Sequence, residues 1–572
     1  MTRMQKVVLL SAGLLAAAAG ADAQQRDVPA RSAATAAAAV YNGEHTTRVT
    51  GVLEVSADRT IEGDVAVLNG PVRVAGRITG TLAVINADVR LSKGASLGGL
   101  IVVGGTISGV SDATIRGDVV QQAELLRYHL ADQRLVPEEE PAYDEAWWKR
   151  RARRRPPHSD DRSWRDWTFT SAHTYNRVEG LPILVGPRIH QVTDWGRFTL
   201  DAFGIVRTAG PMRWDRETLG HDAASELQFG RKLGLGVGGR TFDIVDAVED
   251  WQQDDGEAGL AAFVLRRDFR DYYWRHGGLG FVKLHGGADA DLTFSFGDER
   301  WENAPERDPV SVVRRTEPWR PNFAWMEEGT MHLATARLRV DTRHRENSPW
   351  GGWYLNANVE RGTGTLTSPL AYPQIIDVPP SVRDVAYTRG FVDARRYTRL
   401  APDAALNLRI VAGGWLSGDR LPWQRRLSLG GPFTLGGYDF RRAWRVHPDV
   451  LTCGGTSYAG APANCDRVML LQAEFRRDFH LGWVRTDVRD DWWRPGFNRR
   501  AAWVLFADAG RGWTVGAPGP TTYAKNDVPP LSTFRSDIGA GIDLGSFGLY
   551  LAKATSTASE PMNVIVRVRT RF

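Results

Sequence analysis

The chain has 572 residues, of which 42% are hydrophobic and 24% charged, so it can form a large core and is too apolar for global disorder. Its mean hydropathy of −0.33 argues against many membrane-spanning helices but is compatible with a membrane β-barrel, whose strands turn one face to a polar lumen. The net charge of +5 is small beside 72 basic and 67 acidic residues and does not indicate a nucleic-acid partner. Two cysteines are too few for a disulfide scaffold or a multi-cysteine metal site.

Residues 1–23 have the pattern of a secretory signal peptide. Arg3 and Lys6 precede an apolar run that ends in a small-residue cleavage site. The run is too short to cross a membrane as a helix. We expect export from the cytoplasm, with a linker over residues 24–48.

Residues 49–122 carry an internal repeat that predicts a stacked β-solenoid. Glycines recur at intervals of 17 to 19 residues, and alternating Val, Ile and Leu fill the intervals; the aligned positions are Gly63, Gly80, Gly99 and Gly117. Each coil would bury its apolar side chains against the next coil. The repeat resembles the bactofilin-like, polymer-forming β-helix domains, and this resemblance implies self-association through the solenoid. A small β-sandwich is the alternative interpretation.

Residues 123–172 are predicted to be a linker. A short helix from Ala123 to Leu135 is one interpretation of its first part. An acidic run over 138–140 and a basic cluster over 149–155 follow, and opposite charge blocks are typical of a solvated linker. Contact of the basic cluster with lipid phosphates is the alternative.

Residues 173–572 predict an antiparallel outer-membrane β-barrel of about 16 strands, so that the whole protein is all-β with a short β-helix before the barrel. The last strand places valines on one face and arginines on the other, Val564, Val566 and Val568 against Arg567, Arg569 and Arg571. Arginines facing lipid would be costly, so we expect them to face the lumen. All 21 tryptophans of the chain follow residue 146, and many stand near strand ends, as in an aromatic girdle.

Two motifs in this segment match one barrel family. Residues 429–440 read LGGPFTLGGYDF, and 503–513 read WVLFADAGRGW. The matching positions in the first motif are Gly430, Gly431, Leu435, Gly437 and Tyr438, whereas Gly436 differs from it. In the second motif Phe506, Asp508 and Gly510 match and share one strand face, and Glu474 matches on a preceding strand. They resemble the lumenal-loop and barrel-wall motifs of the BamA/TamA outer-membrane assembly superfamily, the bacterial surface antigen barrels.

This resemblance implies a loop held inside the lumen, and the sequence departs from the family at one key position. In the family a loop arginine reaches the wall aspartate, because a buried charge needs a partner. Here Gly436 stands in place of that arginine, and Arg441 and Arg442 are candidate replacements as partners of Asp508. A second departure is that the solenoid occupies the place of the family's periplasmic POTRA repeats.

Three further features belong to the barrel segment. Cys453 and Cys465 lie in one long connection, and an oxidising compartment favours a disulfide between them. The acidic stretch 246–257 is predicted to be a solvated loop, with a weak calcium site as the alternative. The final Phe572 resembles the C-terminal targeting signal of bacterial barrels.

The resemblance implies insertion, assembly or translocation of polypeptides at the outer membrane of a Gram-negative bacterium, with export of the protein's own solenoid as a variant. Expected partners are outer-membrane lipid and client polypeptides or assembly machinery. We expect a periplasmic solenoid, with the cell surface as the alternative. The alternative functions are a structural anchor whose solenoid polymerises or binds cell wall, and a passive anion-favouring pore lined by arginines.

An enzyme is not expected. A GxSxG match over 94–98 falls inside the solenoid, and a GxGxxG match over 234–239 falls in the barrel segment. Both motifs need a strand followed by a helix, which neither place offers. We therefore expect no catalytic residue, no metal site and no cofactor.

Overall fold

The computed structural model describes the chain over residues 30–122, 126, 128–131, 134–137, 163–171, 175–230, 233–286, 290–305, 307–313, 318–319, 326–343, 351–367, 381–401, 404–438, 453, 464–480, 500–516, 522–544, 547–556, 560–568 and 571. The predicted signal peptide, the basic cluster 149–155, Arg441, Arg442 and Phe572 lie outside these residues. The described chain is mostly β-structure and divides into two compact units. Neither of its two α-helices has the length and apolarity needed to cross a bilayer.

The first unit contains a parallel β-solenoid of about four coils. Its strands are β1 (Thr47–Thr50), β2 (Leu53–Val55), β3 (Thr60–Ile61), β4 (Val65–Leu68), β5 (Val72–Val74), β6 (Arg77–Ile85), β7 (Val89–Leu91), β8 (Ser96–Val103), β9 (Ile107–Ser108), β10 (Thr114–Ile115) and β11 (Val119–Gln122). One sheet has the order β1-β4-β6-β8-β10, with β3 on β6 and β11 on β8, and the other has the order β2-β5-β7-β9. The predicted solenoid is confirmed, and the β-sandwich alternative is wrong because the strands pair in parallel.

The solenoid core is built from the repeated apolar positions. Val65, Leu82 and Leu100 are in register on successive coils, and none has measurable exposure. Burying a Val or Leu side chain contributes roughly 1.5–3 kcal/mol, so the stacked columns hold the coils together. The corners approach so closely that a Cβ on Gly70 would lie 2.0 Å from the carbonyl carbon of Gly51, and only glycine fits there.

Elements on both sides of the repeat pack on one face of the solenoid. Helix α1 (Ala30–Tyr41) and the antiparallel hairpin β12 (Tyr128–Ala131) and β13 (Arg134–Pro137) share an apolar cluster with the outer faces of β4, β6 and β8, opposite the solenoid core. The predicted linker 24–48 therefore contains a packed helix. The helix considered from Ala123 to Leu135 is wrong, because the described part of that segment forms a hairpin instead.

Two asparagine side chains fasten this hairpin segment through its backbone. Asn86 accepts from the Leu126 amide at 2.7 Å and donates to the Leu126 carbonyl at 2.9 Å. Asn42 makes the same pair of bonds with Leu135, at 2.7 and 2.9 Å. Each amide side chain thus imitates one strand pairing, and the packed unit reaches beyond residue 122.

The second unit is built on a seventeen-stranded sheet whose strands follow chain order. They are β14 (Trp164–Ser171), β15 (Ile183–Val192), β16 (Gly196–Val206), β17 (Leu219–Phe229), β18 (Leu233–Ala247), β19 (Tyr272–Gly286), β20 (Ala290–Asn303), β21 (Glu328–Asp341), β22 (Gly352–Thr367), β23 (Val382–Ala401), β24 (Ala404–Gly418), β25 (Arg467–His480), β26 (Arg500–Val515), β27 (Thr522–Tyr523), β28 (Arg535–Asp543), β29 (Gly548–Ala554) and β30 (Asn563–Arg567), with helix α2 (Asp255–Leu265) between β18 and β19. Apart from the two-residue β27, which lies parallel to β26, this is the predicted antiparallel barrel sheet of about 16 strands.

The two faces of this sheet have opposite character, as the alternation predicted. On β30, Val564 and Val566 are 67% and 55% exposed, whereas Ile565 and Arg567 are only 6% and 5% exposed. The same reversal occurs on other strands, so apolar side chains face outward and polar side chains are buried. Soluble proteins arrange these residue types the other way round.

The last strand is shorter than the alternation suggested. It ends at Arg567, and the amide of the next residue, Val568, donates to the Glu257 carboxylate at 2.7 Å. Glu257 belongs to helix α2 and precedes Val568 by 311 residues. This contact and others inside the unit join the middle of the sheet to its last strand across the interior.

Candidate functional site

The base of the motif-bearing segment, residues 419–438, is fixed to the barrel wall by buried charges. Arg425 donates to Glu360 at 3.1 Å, and its guanidinium lies 4.5 Å from the ring centroid of Trp301. Gln424 donates to the Glu327 carbonyl at 2.8 Å and accepts from the Glu327 amide at 3.2 Å. The start of the segment is therefore buried on the inner face, with its charged and amide side chains bonded to wall residues.

The glycine pair forms the turn that shapes the motif. Gly430 and Gly431 have φ angles of 113° and 84°, a region that side chains rarely adopt. The Gly430 amide donates to the Thr434 hydroxyl at 2.7 Å, and the Gly431 amide donates to the Tyr438 carbonyl at 3.0 Å. Glycine is needed here for conformation, and the turn brings residues 435–438, which we call the tetrad, against the wall.

The tetrad docks on the last three strands of the sheet. The Gly437 amide donates to Asp537 of β28 at 2.9 Å, and the Tyr438 hydroxyl bonds Ser556, just beyond β29, at 2.5 Å. The Gly436 carbonyl accepts from Asn563 of β30 at 3.0 Å. The segment is thus bonded to the C-terminal end of the sheet by both backbone and side chain.

Gly436 lies in close contact with two residues of the barrel wall. A Cβ on Gly436 would lie 2.7 Å from Cδ1 of Ile565 and 3.3 Å from the Cβ of Ala552. Ile565 is the apolar residue that interrupts the polar face of β30. A side chain at 436 would have to move the end of Ile565, so the glycine and the isoleucine fit each other at this contact.

The wall residues Phe506, Asp508 and Gly510 all face inward on β26, and Glu474 faces inward on the neighbouring β25. Asp508 lies directly opposite Asp537 of β28 in the strand register. Arg571 donates to Asp508 at 2.5 Å, and its Nε lies 3.6 Å from Glu474. This buried cluster holds several carboxylates and places a guanidinium among them.

Arg571 therefore pairs with Asp508 where the sequence offered Arg441 and Arg442 as candidates. Those two lie outside the described residues. The signal for Arg571 was present, because the alternation put it on the same face as Arg567. The Arg571 guanidinium lies 3.5 Å from the ring centroid of Phe506. Arg571 therefore makes a cation–π contact with Phe506 as well as the ion pair with Asp508.

A second inward element was missed by the sequence analysis. Residues 248–271, which include helix α2, contact the motif segment: Glu249 accepts from the Ser428 amide at 2.7 Å, and Gln252 donates to the Ser428 carbonyl at 2.8 Å. Glu249 and Glu257 are each 6% exposed, so the prediction of a solvated acidic loop over 246–257 is wrong for these residues. A run of acidic residues usually indicates a solvated loop. Here the partners of the two carboxylates are distant along the chain, so the local sequence does not reveal their burial.

A disulfide lies at the end of the same connection. Cys453 and Cys465 are joined and buried, and Cys465 pairs with Leu427 through both backbone groups, at 2.6 and 3.1 Å. Burial raises the pKa of the adjacent Asp466, although the Val515 amide, which donates to it at 3.0 Å, acts in the opposite direction. Across the described residues, no group of three or more His, Cys, Asp or Glu side chains is arranged to hold a metal ion.

No family model and no curated protein sequence matches the chain. Solved structures do match, among them BamA from Haemophilus ducreyi lacking POTRA domains 1–3, at 12% identity and a TM-score of 0.39, over 71% of this chain and 75% of that one. CdiB from Acinetobacter baumannii and from Escherichia coli match at 10% identity, with TM-scores of 0.28 and 0.29. The match covers 71% and 70% of this chain but only 64% and 61% of the two CdiB chains.

Proposed function

We propose that this protein is an outer-membrane barrel that inserts or translocates polypeptides, with a seam at the end of its sheet as the working part. The observation that carries this proposal is the taper of the sheet. Strands β22 and β23 have 16 and 20 residues, whereas β29 has 7 and the last strand, β30, has 5. Each residue fewer in a ladder removes backbone bonds, so the end of the sheet is where pairing separates at least cost.

The outward face supports the membrane setting. Large apolar side chains such as Phe296, Leu505 and Val564 are 62%, 56% and 67% exposed on strands whose other face is buried and charged. At roughly 25 cal/mol per Å² of apolar surface, leaving such a face in water would be costly over a whole barrel. A hydrocarbon environment removes that cost, and outer-membrane lipid is the proposed partner.

The interior favours this function over an open, anion-favouring pore. Inward arginines such as Arg409 and Arg425 are buried and bonded to Asp393 and Glu360. Two inward segments, 248–271 and 419–438, are bonded to each other through Ser428. The described interior therefore offers paired charges and two inward segments, and the motif segment is attached to the strands that would move.

The test is a reconstitution. Vesicles of phosphatidylcholine carrying the full mature chain receive a urea-unfolded eight-stranded barrel as client, and protease-protected, folded client is measured over time. The control is a sixteen-stranded porin at the same protein-to-lipid ratio. We expect faster client folding with this protein; a rate equal to the porin control contradicts the proposal. Steady conductance in a planar bilayer with no effect on the client would instead favour the pore.

We further propose that the solenoid is periplasmic. A barrel with an even number of antiparallel strands has the start of β14 and the end of β30 at one end, and bacterial barrels have short turns at the periplasmic end. Client polypeptides or other assembly proteins are the proposed soluble partners there. The proposed role needs positioning and pairing, not catalysis, so we propose no enzyme activity.

A further inference from the structure

The start of helix α2 places the carboxylate of Glu257 against the last strand, β30. Asp254 accepts from the Gly256 amide at 2.9 Å and starts the helix. Glu257 follows in the first turn, where the helix dipole favours a negative charge. Arg270 donates to Asp255 at 2.6 Å and fixes the same turn from the other side. The position of Glu257 is therefore determined by the helix start.

Glu257 bonds both the side chain and the backbone at the end of the last strand. Arg567 Nε donates to its two carboxylate oxygens at 2.9 and 3.0 Å. The Val568 amide donates to the same carboxylate at 2.7 Å. Arg567 and Glu257 are 5% and 6% exposed, so this is a buried, charge-assisted contact that water competes with poorly.

The same arginine is also held by the motif segment. Its guanidinium lies 4.7 Å from the ring centroid of Phe433, and its Nη1 donates to the Pro432 carbonyl at 3.5 Å. Arg567 is thus the point at which the two inward segments and the last strand of the sheet meet. Strand β30 cannot leave β29 at this end without breaking the contact to Glu257.

We propose that Glu257 is a latch: helix α2 holds the end of β30 inside the barrel, and release of Glu257 from Arg567 and Val568 frees the seam. The contact uses the Val568 amide, which would otherwise be available to continue a strand. Withdrawal of α2 would therefore remove the ion pair and free the Val568 amide. The regulatory meaning of the latch rests on the proposed function, but the contact and its effect on strand opening do not.

The test measures strand opening directly. Hydrogen exchange of the β30 amides is compared with that of β18 and β19 in the full chain in lipid nanodiscs. Glu257→Gln should raise exchange over 564–568 by about tenfold or more while leaving β18 and β19 unchanged, because local opening is controlled by the local contact. Arg567→Lys, which keeps the charge but loses the planar guanidinium, should give a smaller rise.

Glu217→Gln is the matched control. Glu217 pairs with Arg307 on another loop, and its side chain is 55% exposed, so its loss should not change β30 exchange. An unchanged β30 in Glu257→Gln, or an equal rise in every strand, overturns the latch. If Glu257→Gln does not fold, Glu257→Asp keeps the charge with a shorter reach and is judged by the same comparison.

The client-folding assay separates the two proposals. Faster client folding by Glu257→Gln, together with faster β30 exchange, supports both. Faster exchange in a barrel that never accelerates client folding sustains the latch and contradicts the proposed function. Unchanged exchange in a barrel that does accelerate client folding overturns the latch and leaves the proposed function standing.

Discussion

Gly436 lies against Ile565, so close that a Cβ on the glycine would be 2.7 Å from Cδ1 of the isoleucine. One residue is in the inward segment and the other is on the last strand. The end of the Ile565 side chain fills the space that a side chain at 436 would need. The segment and the strand are therefore complementary in shape as well as bonded.

Gly436→Ala should lower the stability of the folded barrel. The cost should lie at the low end of the roughly 1–3 kcal/mol typical of overpacking, because Cδ1 is the end of the flexible Ile565 side chain and can move aside, whereas the Cβ of Ala552 cannot. Gly351→Ala is the control, because a Cβ at Gly351 meets nothing within 4 Å. The measurement is the urea concentration at the midpoint of unfolding, read from the difference in gel mobility between the folded and the unfolded barrel. Equal midpoints for the two variants would contradict the fitted contact.

Arg571→Ala should be strongly destabilising. It leaves Asp508 and Glu474 buried without this guanidinium, and breaking a buried ion pair from one side costs roughly 3–5 kcal/mol. Arg188→Ala is the control, because Arg188 pairs with Asp201 and both side chains are over 40% exposed, at 42% and 45%. That loss should stay below about 1 kcal/mol. The double variant with Asp508→Asn measures the coupling, and additive effects would show that the pair is not coupled.

Asn86→Gly should loosen the hairpin that packs on the solenoid. Asn86 has a φ of 59°, which glycine adopts without strain, so the change removes the side-chain bonds to Leu126 and spares the turn. Leaving these buried backbone groups unpaired costs about 1–3 kcal/mol. Asn69→Gly is the control, since Asn69 has a φ of 55° and bonds the Tyr128 hydroxyl at 2.7 Å in an exposed place. Hydrogen exchange over 126–137 should rise clearly in the first variant and little in the second.

Replacing both cysteines with serine should destabilise the end of the motif connection. The disulfide closes a short loop with a sequence separation of 12, for which constraint of the unfolded chain is worth about 3 kcal/mol. Because Cys453 and Cys465 are 2% and 0% exposed, the native protein should resist reduction by dithiothreitol until it is unfolded. Thiol labelling with and without urea measures this. Rapid labelling of the native, reduced protein would contradict the buried bond.

A protease site placed between Ala57 and Asp58, in an exposed turn of the solenoid, should report its side of the membrane. We expect protection in intact cells and cleavage once the outer membrane is permeabilised. Cleavage in intact cells would place the solenoid on the surface and make export of the protein's own solenoid the better interpretation. A site in the exposed region near Trp214, which is 96% exposed in the β16–β17 connection, is the control for surface access.

The sequence by itself determined the two architectures, because both follow from local periodicity. The glycine repeat of 63, 80, 99 and 117 required stacked coils, and the alternation around Val564 and Arg567 required strands with one apolar and one polar face. Only the tertiary structure decided which charges meet. Glu257 and Arg567 are separated by 310 residues, and Arg571 reaches Asp508 over a separation of 63 residues, so no local pattern could pair them. The local sequence could not show that Glu249 and Glu257 are buried or that residues 128–137 form a hairpin, because these features depend on contacts with the barrel interior and with the solenoid face, which exist only in the folded units.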